Sequence, residues 1–226
     1  MLKIPSIMLK NLLAVALLIV TGPVFAGPDS LKKTVLLVAA DHLPDPRFAH
    51  SVVLVTRHNK NGPVGVIINR PLNVQLQDAF PNEPGLEGND EAVFFGGPVS
   101  KQTVVFLLRA ETPPASALHV FDDVYMSLSK ELFEKTLQRE NPTAGLRIFI
   151  GYAGWSEEQL QREIDNGDWN LMDPDHETVY SDAPEQLWQK LSKKFRGEWV
   201  LLPHEVENTE IEAPLSSASF HYLATH

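Results

Sequence analysis

The sequence of 226 residues contains no cysteine. The chain therefore cannot form a disulfide, use a thiol nucleophile, bind a metal through cysteine or be anchored as a lipoprotein through an N-terminal cysteine. Long apolar runs are scarce as well. The run at residues 12–20 (LLAVALLIV) is nine residues long, well short of the roughly 20 that cross a bilayer. Pro23 also disfavours continuing the helix, so an uncleaved membrane anchor is disfavoured.

The same apolar run has the surroundings of a secretory signal peptide. Lys3 and Lys10 supply positive charge before it, and Val24 and Ala26 place small residues where a signal peptidase cleaves. We predict that residues 1–26 are a signal peptide cleaved after Ala26. The mature protein is then periplasmic or secreted and has no stable membrane anchor.

Basic residues are outnumbered. The chain has 19 basic and 29 acidic residues, and removal of Lys3 and Lys10 with the signal peptide leaves 17 against 29, a net charge of −12. Such a balance repels the phosphate backbone of nucleic acids. One basic cluster occurs, at Lys190, Lys193, Lys194 and Arg196. We interpret it as the solvated face of a helix and expect no nucleic-acid partner.

Short apolar and β-branched runs dominate the first part of the mature chain and predict strands. They lie at residues 34–40, 51–57, 92–97, 102–110, 117–124 and 146–152, with shorter candidates at 168–172, 178–180 and 198–202. Asn61-Gly62 predicts a hairpin turn between the second run and a further buried strand that ends at Asn69-Arg70-Pro71. Because most connections are too short for helical crossovers, antiparallel pairing is favoured.

Helical patterns come later in the chain. We predict one helix capped by Ser127 or Ser129, a second that begins at Ser156 with Gln159 completing a capping box, and a third capped by Asp182. In the third helix we expect Leu187, Trp188, Leu191 and Phe195 to be buried. Strands first and helices late predict one α+β domain at residues 27–202, followed by an irregular tail at 203–226.

The turn at residues 151–156 (GYAGWS) joins a predicted strand to a predicted helix, a place where enzymes hold nucleophiles and phosphates. The nucleophile positions between the glycines are Tyr152 and Ala153, and Ser156 is assigned to helix capping. No phosphate-loop pattern occurs at the turn. Glu157 and Glu158 occupy the helix start that an anion would otherwise use. We therefore interpret the turn as packing, with Trp155 in the core.

Other chemistry-bearing residues form no complete catalytic or metal-binding set. Asp41, His42, Asp45 and Arg47 share a loop, but their spacing matches no metal motif, and Arg47 is suited to binding a carboxylate or tying the loop to backbone carbonyls. Ser51, His58 and Asp41 are the residue types of a catalytic triad, but a chain with eight histidines offers such a combination by chance, so the signal is weak. The strand-end glycines Gly96 and Gly97 favour close approach of another strand. The sequence predicts neither a cofactor nor a metal.

Three motifs occur in order along the chain: residues 40–72 (ADHLPDPRFAHSVVLVTRHNKNGPVGVIINRPL), 94–99 (FFGGPV) and 151–169 (GYAGWSEEQLQREIDNGDW). Together they resemble the YqgE/AlgH family of bacterial proteins over about residues 36–188. The family's motif residues match Asp45, Pro46, Arg47, Phe48, Gly65, Asn69, Pro71, Gly96, Gly97, Pro98, Gly151, Tyr152, Gly154 and Trp155 here. The resemblance carries no catalytic role for any of them.

The resemblance implies a single α+β domain with a mixed, largely antiparallel and partly barrel-like sheet, about three main helices and no established enzymatic activity. Many members carry the label of transcriptional regulator. This chain departs from the family in two places: it has a predicted signal peptide, and Ser156-Glu157-Glu158 replaces the usual small residues after the Trp of the turn. The first departure opposes a cytoplasmic role, and the second weakens an anion site.

We therefore expect a non-enzymatic, exported binding or interaction protein whose partner is an unidentified protein or small ligand. A cytoplasmic transcriptional regulator is the alternative, and a small-ligand pocket or an uncharacterised hydrolase is less favoured. The candidate pocket residues are His42, Arg47, Asn69, Arg70, Gly97, Tyr152 and Trp155.

Overall fold

A computed structural model describes residues 34–57 and 62–196 of the chain. The predicted signal peptide, Asn61 of the predicted hairpin, the strand predicted at 198–202 and the tail at 203–226 lie outside the described residues. None of the helices within 34–57 and 62–196 is long and apolar enough to cross a membrane.

The described chain contains ten strands and five helices. The strands are β1 Val35–Ala39, β2 Val52–Arg57, β3 Pro63–Ile67, β4 Pro71–Gln75, β5 Ala92–Phe95, β6 Val99–Arg109, β7 Leu118–Phe121, β8 Val124–Ser127, β9 Leu146–Gly154 and β10 Trp169–Met172. The helices are α1 Leu76–Ala79, α2 Lys130–Leu137, α3 Glu157–Asp165, α4 His176–Val179 and α5 Leu187–Phe195. Short 3-10 turns lie at Pro84–Leu86 and Pro184–Gln186.

The strands form one curled sheet in the order β10-β1-β2-β3-β9-β6-β8-β7, and β5 joins β9 while carrying β4. Among the described strands the β5–β9 pair is parallel, and the other pairs are antiparallel. Central strand β9 contacts β3, β5 and β6 along its nine residues. The prediction of an α+β fold with a largely antiparallel, partly barrel-like sheet and about three main helices is confirmed.

Three buried clusters cover the faces of the curled sheet. In β1 and β2 successive residues point to opposite faces and both faces are covered, as their unbroken apolar runs predict. One face packs inside the curl with residues of β6, β8 and β9 and is closed by α5. The other face is covered by α3 and the loop between β1 and β2, and α1 and α2 cover the outer face of β6, β8 and β9.

Side-chain caps begin the two longer helices that the sequence places correctly. Ser129 Oγ accepts from the amide of Leu132 at the start of α2, and Ser156 Oγ accepts from the amide of Gln159 at the start of α3. The second half of the predicted capping box is wrong, because the Gln159 side chain donates to Glu163 Oε1 at 2.8 Å instead of reaching back.

Several local predictions are wrong. Residues 178–180 are predicted as a strand, but Thr178 and Val179 end α4 and Tyr180 is its C-cap, because Asp175 Oδ1 accepts from the amide of Thr178 and starts a helical turn. The single strand predicted at 117–124 is the hairpin β7–β8, in which Asp122 turns the chain with a φ of 43°. The strand β4 was not predicted.

The third main helix also differs from its prediction. It begins at Leu187 after the 3-10 turn Pro184–Gln186, and Asp182 does not cap it. Leu187 and Leu191 are buried and Trp188 is partly buried, whereas Phe195 is 42% exposed. Phe195 lies in the last turn of the helix, beyond the part of α5 that closes the core.

Candidate functional site

The end of β9 places Trp155 beside a surface cleft, and the predicted turn at residues 151–156 is wrong in part, because β9 continues to Gly154 and only Trp155 and Ser156 separate it from α3. The indole of Trp155 packs against Phe48 and Trp169 with ring centroids 5.5 and 6.2 Å away. The indole nitrogens of Trp155 and Trp169 both donate to Glu163 Oε2, at 3.0 and 2.8 Å. A buried indole needs an acceptor for its N–H, and one carboxylate on α3 serves two. The segment Trp155-Ser156 between β9 and α3 is therefore fixed to α3 and to the β1–β2 loop.

The start of α3 is already occupied by protein groups. The amide of Glu158 and the hydroxyl of Ser156 hold the pKa of the Glu158 carboxyl below its usual range. Glu157 forms an ion pair with Arg57 of β2. The Glu158 carboxyl uses one amide at the helix start and the Ser156 hydroxyl accepts from another, which leaves the start less favourable for an external anion.

A cleft of about 940 Å³ opens between the start of β3, the end of β9 and the strands β6 to β8. We call it the Trp155 cleft. It is lined by Gly62, Pro63, Val64, Val99, Val105, Ser116, Ala117, Leu118, Met126, Ser127, Leu128, Tyr152, Gly154, Trp155, Ser156 and Gln159. None of these side chains carries a charge.

The polar groups of the Trp155 cleft have few hydrogen bonds left to offer. Ser127 Oγ donates to the carbonyl of Ser116 at 2.6 Å and accepts from the amide of Ser129. The Ser156 hydroxyl caps α3, and the Gln159 amide donates to Glu163. In the part of the chain that the structure describes, the Tyr152 hydroxyl makes no protein hydrogen bond. The cleft therefore suits an uncharged, largely apolar occupant with few polar groups.

Two apolar side chains of the cleft are unusually open to solvent. Leu128, between β8 and α2, is 58% exposed, and Val99 at the start of β6 is 36% exposed. A wide irregularity separates Val99 from the regular pairing of β6 with β9, which resumes at Val104. Both side chains lie near the end of β6 that extends beyond its partner β8.

Of the seven predicted site residues, the structure brings Tyr152 and Trp155 to the Trp155 cleft. Gly97 lies behind them: a Cβ at this position would overlap the backbone of Tyr152 and Ala153. The close approach at Gly97 is therefore made to a strand of the same sheet, and it fixes the backbone position of Tyr152.

Asn69 and Arg70 lie elsewhere and hold the loop between β1 and β2. Asn69 is buried; its Oδ1 accepts from the amide of Val52 at 2.7 Å and its Nδ2 donates to the carbonyl of His50 at 3.0 Å. Arg70 donates to the carbonyls of Arg47 and Ala49, at 2.6 and 2.7 Å. Burial lowers the pKa of the Arg70 guanidinium.

His42 and Arg47 are exposed on that loop. Arg47 forms a two-pronged ion pair with Asp45, with Nε–Oδ1 at 3.0 Å and Nη2–Oδ2 at 2.6 Å. This hydrogen bond holds the pKa of Asp45 below its usual range. His42 Nε2 lies 3.9 Å from Asp168 Oδ1, and two-thirds of the His42 side chain is exposed. The structure does not bring either residue to the Trp155 cleft.

Ser51 and Asp41, two residues of the hypothetical triad, make other contacts. Ser51 is fully buried, and its hydroxyl donates to the carbonyl of Phe48 at 2.7 Å. Asp41 pairs with Arg196 at 2.6 Å, and His58 lies outside the described residues. Over residues 34–57 and 62–196 no group of three or more histidines and carboxylates could hold a metal ion.

Sequence reasoning missed the wall of the cleft that β6, β7 and β8 supply. Leu118, Met126 and Leu128 come from a segment that was interpreted as one strand followed by a helix cap. The available signal was Leu128 itself, an apolar residue between a buried strand and the cap Ser129, where neither element requires one.

Comparison with known proteins identifies the family. The family model DUF179, described as AlgH-like, matches residues 36–200. The chain belongs to this family. The resemblance to the YqgE/AlgH family is thereby confirmed, and the biochemical function of this family is unknown.

Relatives and solved structures agree with this assignment. The AlgH-like chain is 30% identical to a UPF0301 protein of Chlorobium limicola over 79% of its own length and 95% of the relative. It is 36% identical to one of Methylococcus capsulatus over 68% and 83%. The solution structure of AlgH from Pseudomonas aeruginosa is similar with a TM-score of 0.59 and 26% identity, over 74% of this chain and 90% of that one. A Corynebacterium diphtheriae crystal structure shows the same fold, with a TM-score of 0.57 and 23% identity over 72% and 86%.

Proposed function

We propose that this AlgH-like chain is an exported, non-enzymatic binding protein that holds an uncharged, largely apolar ligand in the Trp155 cleft. The observation that carries the proposal is the cleft itself. Its volume of about 940 Å³ lies in the range of pockets that bury most of a small ligand. Apolar side chains line it, and its lining side chains carry no charge.

The lining selects the chemistry of the ligand. Burying an unpaired charge against apolar walls is costly, and the hydroxyls of Ser127 and Ser156 are used within the protein. An apolar ligand instead removes Leu128 and Val99 from water, which is favourable in proportion to the apolar area covered. Tyr152 offers one hydroxyl that can orient a single polar group of the ligand.

The contacts of the histidines support a role in binding. Acyl transfer by a hydroxyl requires a base within hydrogen-bond reach of the nucleophile. In the described part of the chain, the side-chain hydrogen bonds of histidine go from His119 to the carbonyl of Asp122 and from His176 to Asp123, and none joins a Ser or Thr hydroxyl.

Export is supported by the predicted signal peptide at residues 1–26, which precedes the span matched by the family model. Cell fractionation tests this part of the proposal. We expect mature protein that starts at Gly27 in the envelope or the medium. Cytosolic protein that retains residues 1–26 and binds DNA in a salt-sensitive way would support the regulator hypothesis instead.

Titration with a neutral apolar fluorophore, N-phenyl-1-naphthylamine, tests the cleft. Leu128→Glu places a carboxylate in the cleft at an exposed position, so folding should be unaffected. We expect the affinity for the probe to fall about tenfold or more, because a charge must be buried with the ligand. Val74→Glu is the matched control, since Val74 is 42% exposed on β4 and does not line the cleft.

The outcomes separate clearly. Saturable binding by wild type and Val74→Glu with loss in Leu128→Glu supports the cleft as the site. Equal loss in both variants, or no saturable binding by wild type, contradicts it.

A further inference from the structure

A second cleft contains a partly buried cation without a carboxylate partner. Arg147 of β9 donates from Nη1 to the carbonyl of Val179 at 3.0 Å and from Nη2 to the carbonyl of Ser181 at 2.6 Å. Its guanidinium carbon lies 4.7 Å from the centre of the Phe94 ring and 5.8 Å from that of Tyr180. The ion pairs found among the described residues do not include Arg147.

This environment leaves the charge of Arg147 incompletely compensated. Burial lowers the pKa of its guanidinium, and the more distant charges of Glu91 and Asp182 act in the opposite direction. Buried charges in proteins are normally paired. A guanidinium has five N–H groups, of which Val179 and Ser181 use two, and three remain for a further acceptor.

The space beside Arg147 is a cleft of about 540 Å³. We call it the Arg147 cleft. It is lined by Pro71, Glu91, Ala92, Phe94, Thr143, Ala144, Gly145, Leu146, Arg147, Tyr180, Ser181, Asp182, Pro184 and Glu185. It shares no lining residue with the Trp155 cleft, so an occupant of one does not contact the lining of the other.

Charge in the Arg147 cleft is of both signs. Arg147 lies partly buried, whereas Glu91, Asp182 and Glu185 are exposed. A planar guanidinium favours a carboxylate, which can accept two parallel hydrogen bonds. Three surrounding carboxylates repel a simple anion such as phosphate and attract an ammonium group. An occupant that satisfies both must carry a carboxylate and a cation a short distance apart.

We propose that the Arg147 cleft binds a free α-amino acid, with its carboxylate on Arg147 and its ammonium group towards Glu91, Asp182 and Glu185. The Phe94 and Tyr180 rings hold the guanidinium in place, so little side-chain entropy is lost when the carboxylate binds. This site is independent of the function proposed for the Trp155 cleft.

The test is a titration of the purified protein with glycine, alanine, leucine, phenylalanine, glutamate and lysine, one at a time, followed by calorimetry and by the NMR shifts of the Gly145 amide. We expect saturable binding of at least one of them. The amide of the amino acid that binds lacks the carboxylate, and the N-acetyl derivative of that amino acid lacks the ammonium group. Each derivative should bind about tenfold more weakly or worse.

Two variants locate the site. Arg147→Gln should abolish binding, but it also removes the donors to Val179 and Ser181 and can disturb folding. Glu91→Gln combined with Asp182→Asn changes exposed side chains alone. We expect this double variant to bind the amino acid several-fold more weakly, with an unchanged melting temperature and unchanged N-phenyl-1-naphthylamine binding. Glu87→Gln, exposed and outside the cleft, is the matched control and should bind like wild type.

The proposal is overturned if none of the six amino acids binds saturably. It is also overturned if the amide binds as well as the acid, or if the double variant binds as well as Glu87→Gln. Because the neutral probe reports the other cleft, failure here leaves the Trp155 cleft supported or contradicted by its own titration.

Discussion

The side chain of Arg70 fixes the loop between β1 and β2 by binding backbone carbonyls of that loop. Its guanidinium donates to the carbonyls of Arg47 and Ala49, and Asn69 beside it holds the amide of Val52 and the carbonyl of His50. This loop carries Phe48, which packs on Trp155. The residues that hold the loop therefore also support one side of Trp155 at the Trp155 cleft.

Arg70→Ala should lower the free energy of unfolding by about 1–3 kcal/mol, because two carbonyls lose a charged donor. Arg47→Ala is the control: its side chain is exposed and pairs with exposed Asp45, so we expect stability indistinguishable from wild type. Urea denaturation with a shared m-value measures both. Equal destabilisation by the two substitutions would show that the carbonyl contacts of Arg70 contribute nothing.

The sequence predicts two roles for Arg47, binding a carboxylate or tying its loop to backbone carbonyls, and the structure shows the first. Arg47 lies in the loop and has the chemistry to tie it to backbone carbonyls, but its fork is satisfied two residues away by Asp45. Arg70 reaches the same carbonyls across 21 and 23 positions in the chain. Distance along the sequence conceals such a contact, because it arises from the antiparallel pairing of β2 with β3.

At the scale of elements, the turn between β7 and β8 connects three parts of the fold. Asp123 Oδ2 accepts from Arg109 Nε of β6 at 2.9 Å, and Asp123 Oδ1 lies 2.6 Å from His176 Nε2 of α4. The Arg109 hydrogen bond, with a smaller contribution from His176, holds the pKa of the Asp123 carboxyl below its ordinary value of 3.8. One carboxylate thus links a strand, a hairpin and a helix.

This linkage predicts a pH dependence. Because the folded-state pKa of Asp123 is depressed, its stabilisation is present above the ordinary pKa and is lost as the pH falls through the folded value. The difference in unfolding free energy between wild type and Asp123→Asn should therefore shrink as the pH falls from about 5 to about 2.

The control for this prediction is Asp90→Asn, at an exposed loop position and without an ion pair among the described residues. Its difference from wild type should lack the loss seen for Asp123→Asn. Thermal unfolding followed by circular dichroism across this pH range measures both variants. A difference for Asp123→Asn that grows on acidification would contradict the sign of the pKa shift.

Elements with a strong local signal are predicted well, and elements that depend on a distant partner are not. Strands β1, β2 and β9 are continuous apolar runs, and α2 and α3 have serine caps. By contrast, β4 is a largely exposed strand that exists because it pairs with β5. The short α4 ends in the β-branched residues Thr178 and Val179, which favour a strand, and one cap, Asp175, decides its conformation.

At the scale of the whole molecule, the curl of the sheet creates the Trp155 cleft. Its walls come from β3, the end of β9, and the strands β6 to β8. The sequence predicts Tyr152 and Trp155, which form one wall of the cleft. It does not predict the facing wall, because nothing local states that β6 is 11 residues long while its partner β8 has four. The open end of that unequal pair lies near Leu128 and Val99.

The proposed function joins this cleft to the predicted export of the chain. Native mass spectrometry of the protein purified from the cells that make it tests both together. We predict a chain that starts at Gly27, recovered from the envelope or medium, with a bound uncharged molecule that dissociates on denaturation. The adduct should persist in Val74→Glu and be absent from Leu128→Glu. Cytosolic protein that retains residues 1–26 and carries no adduct would contradict the account.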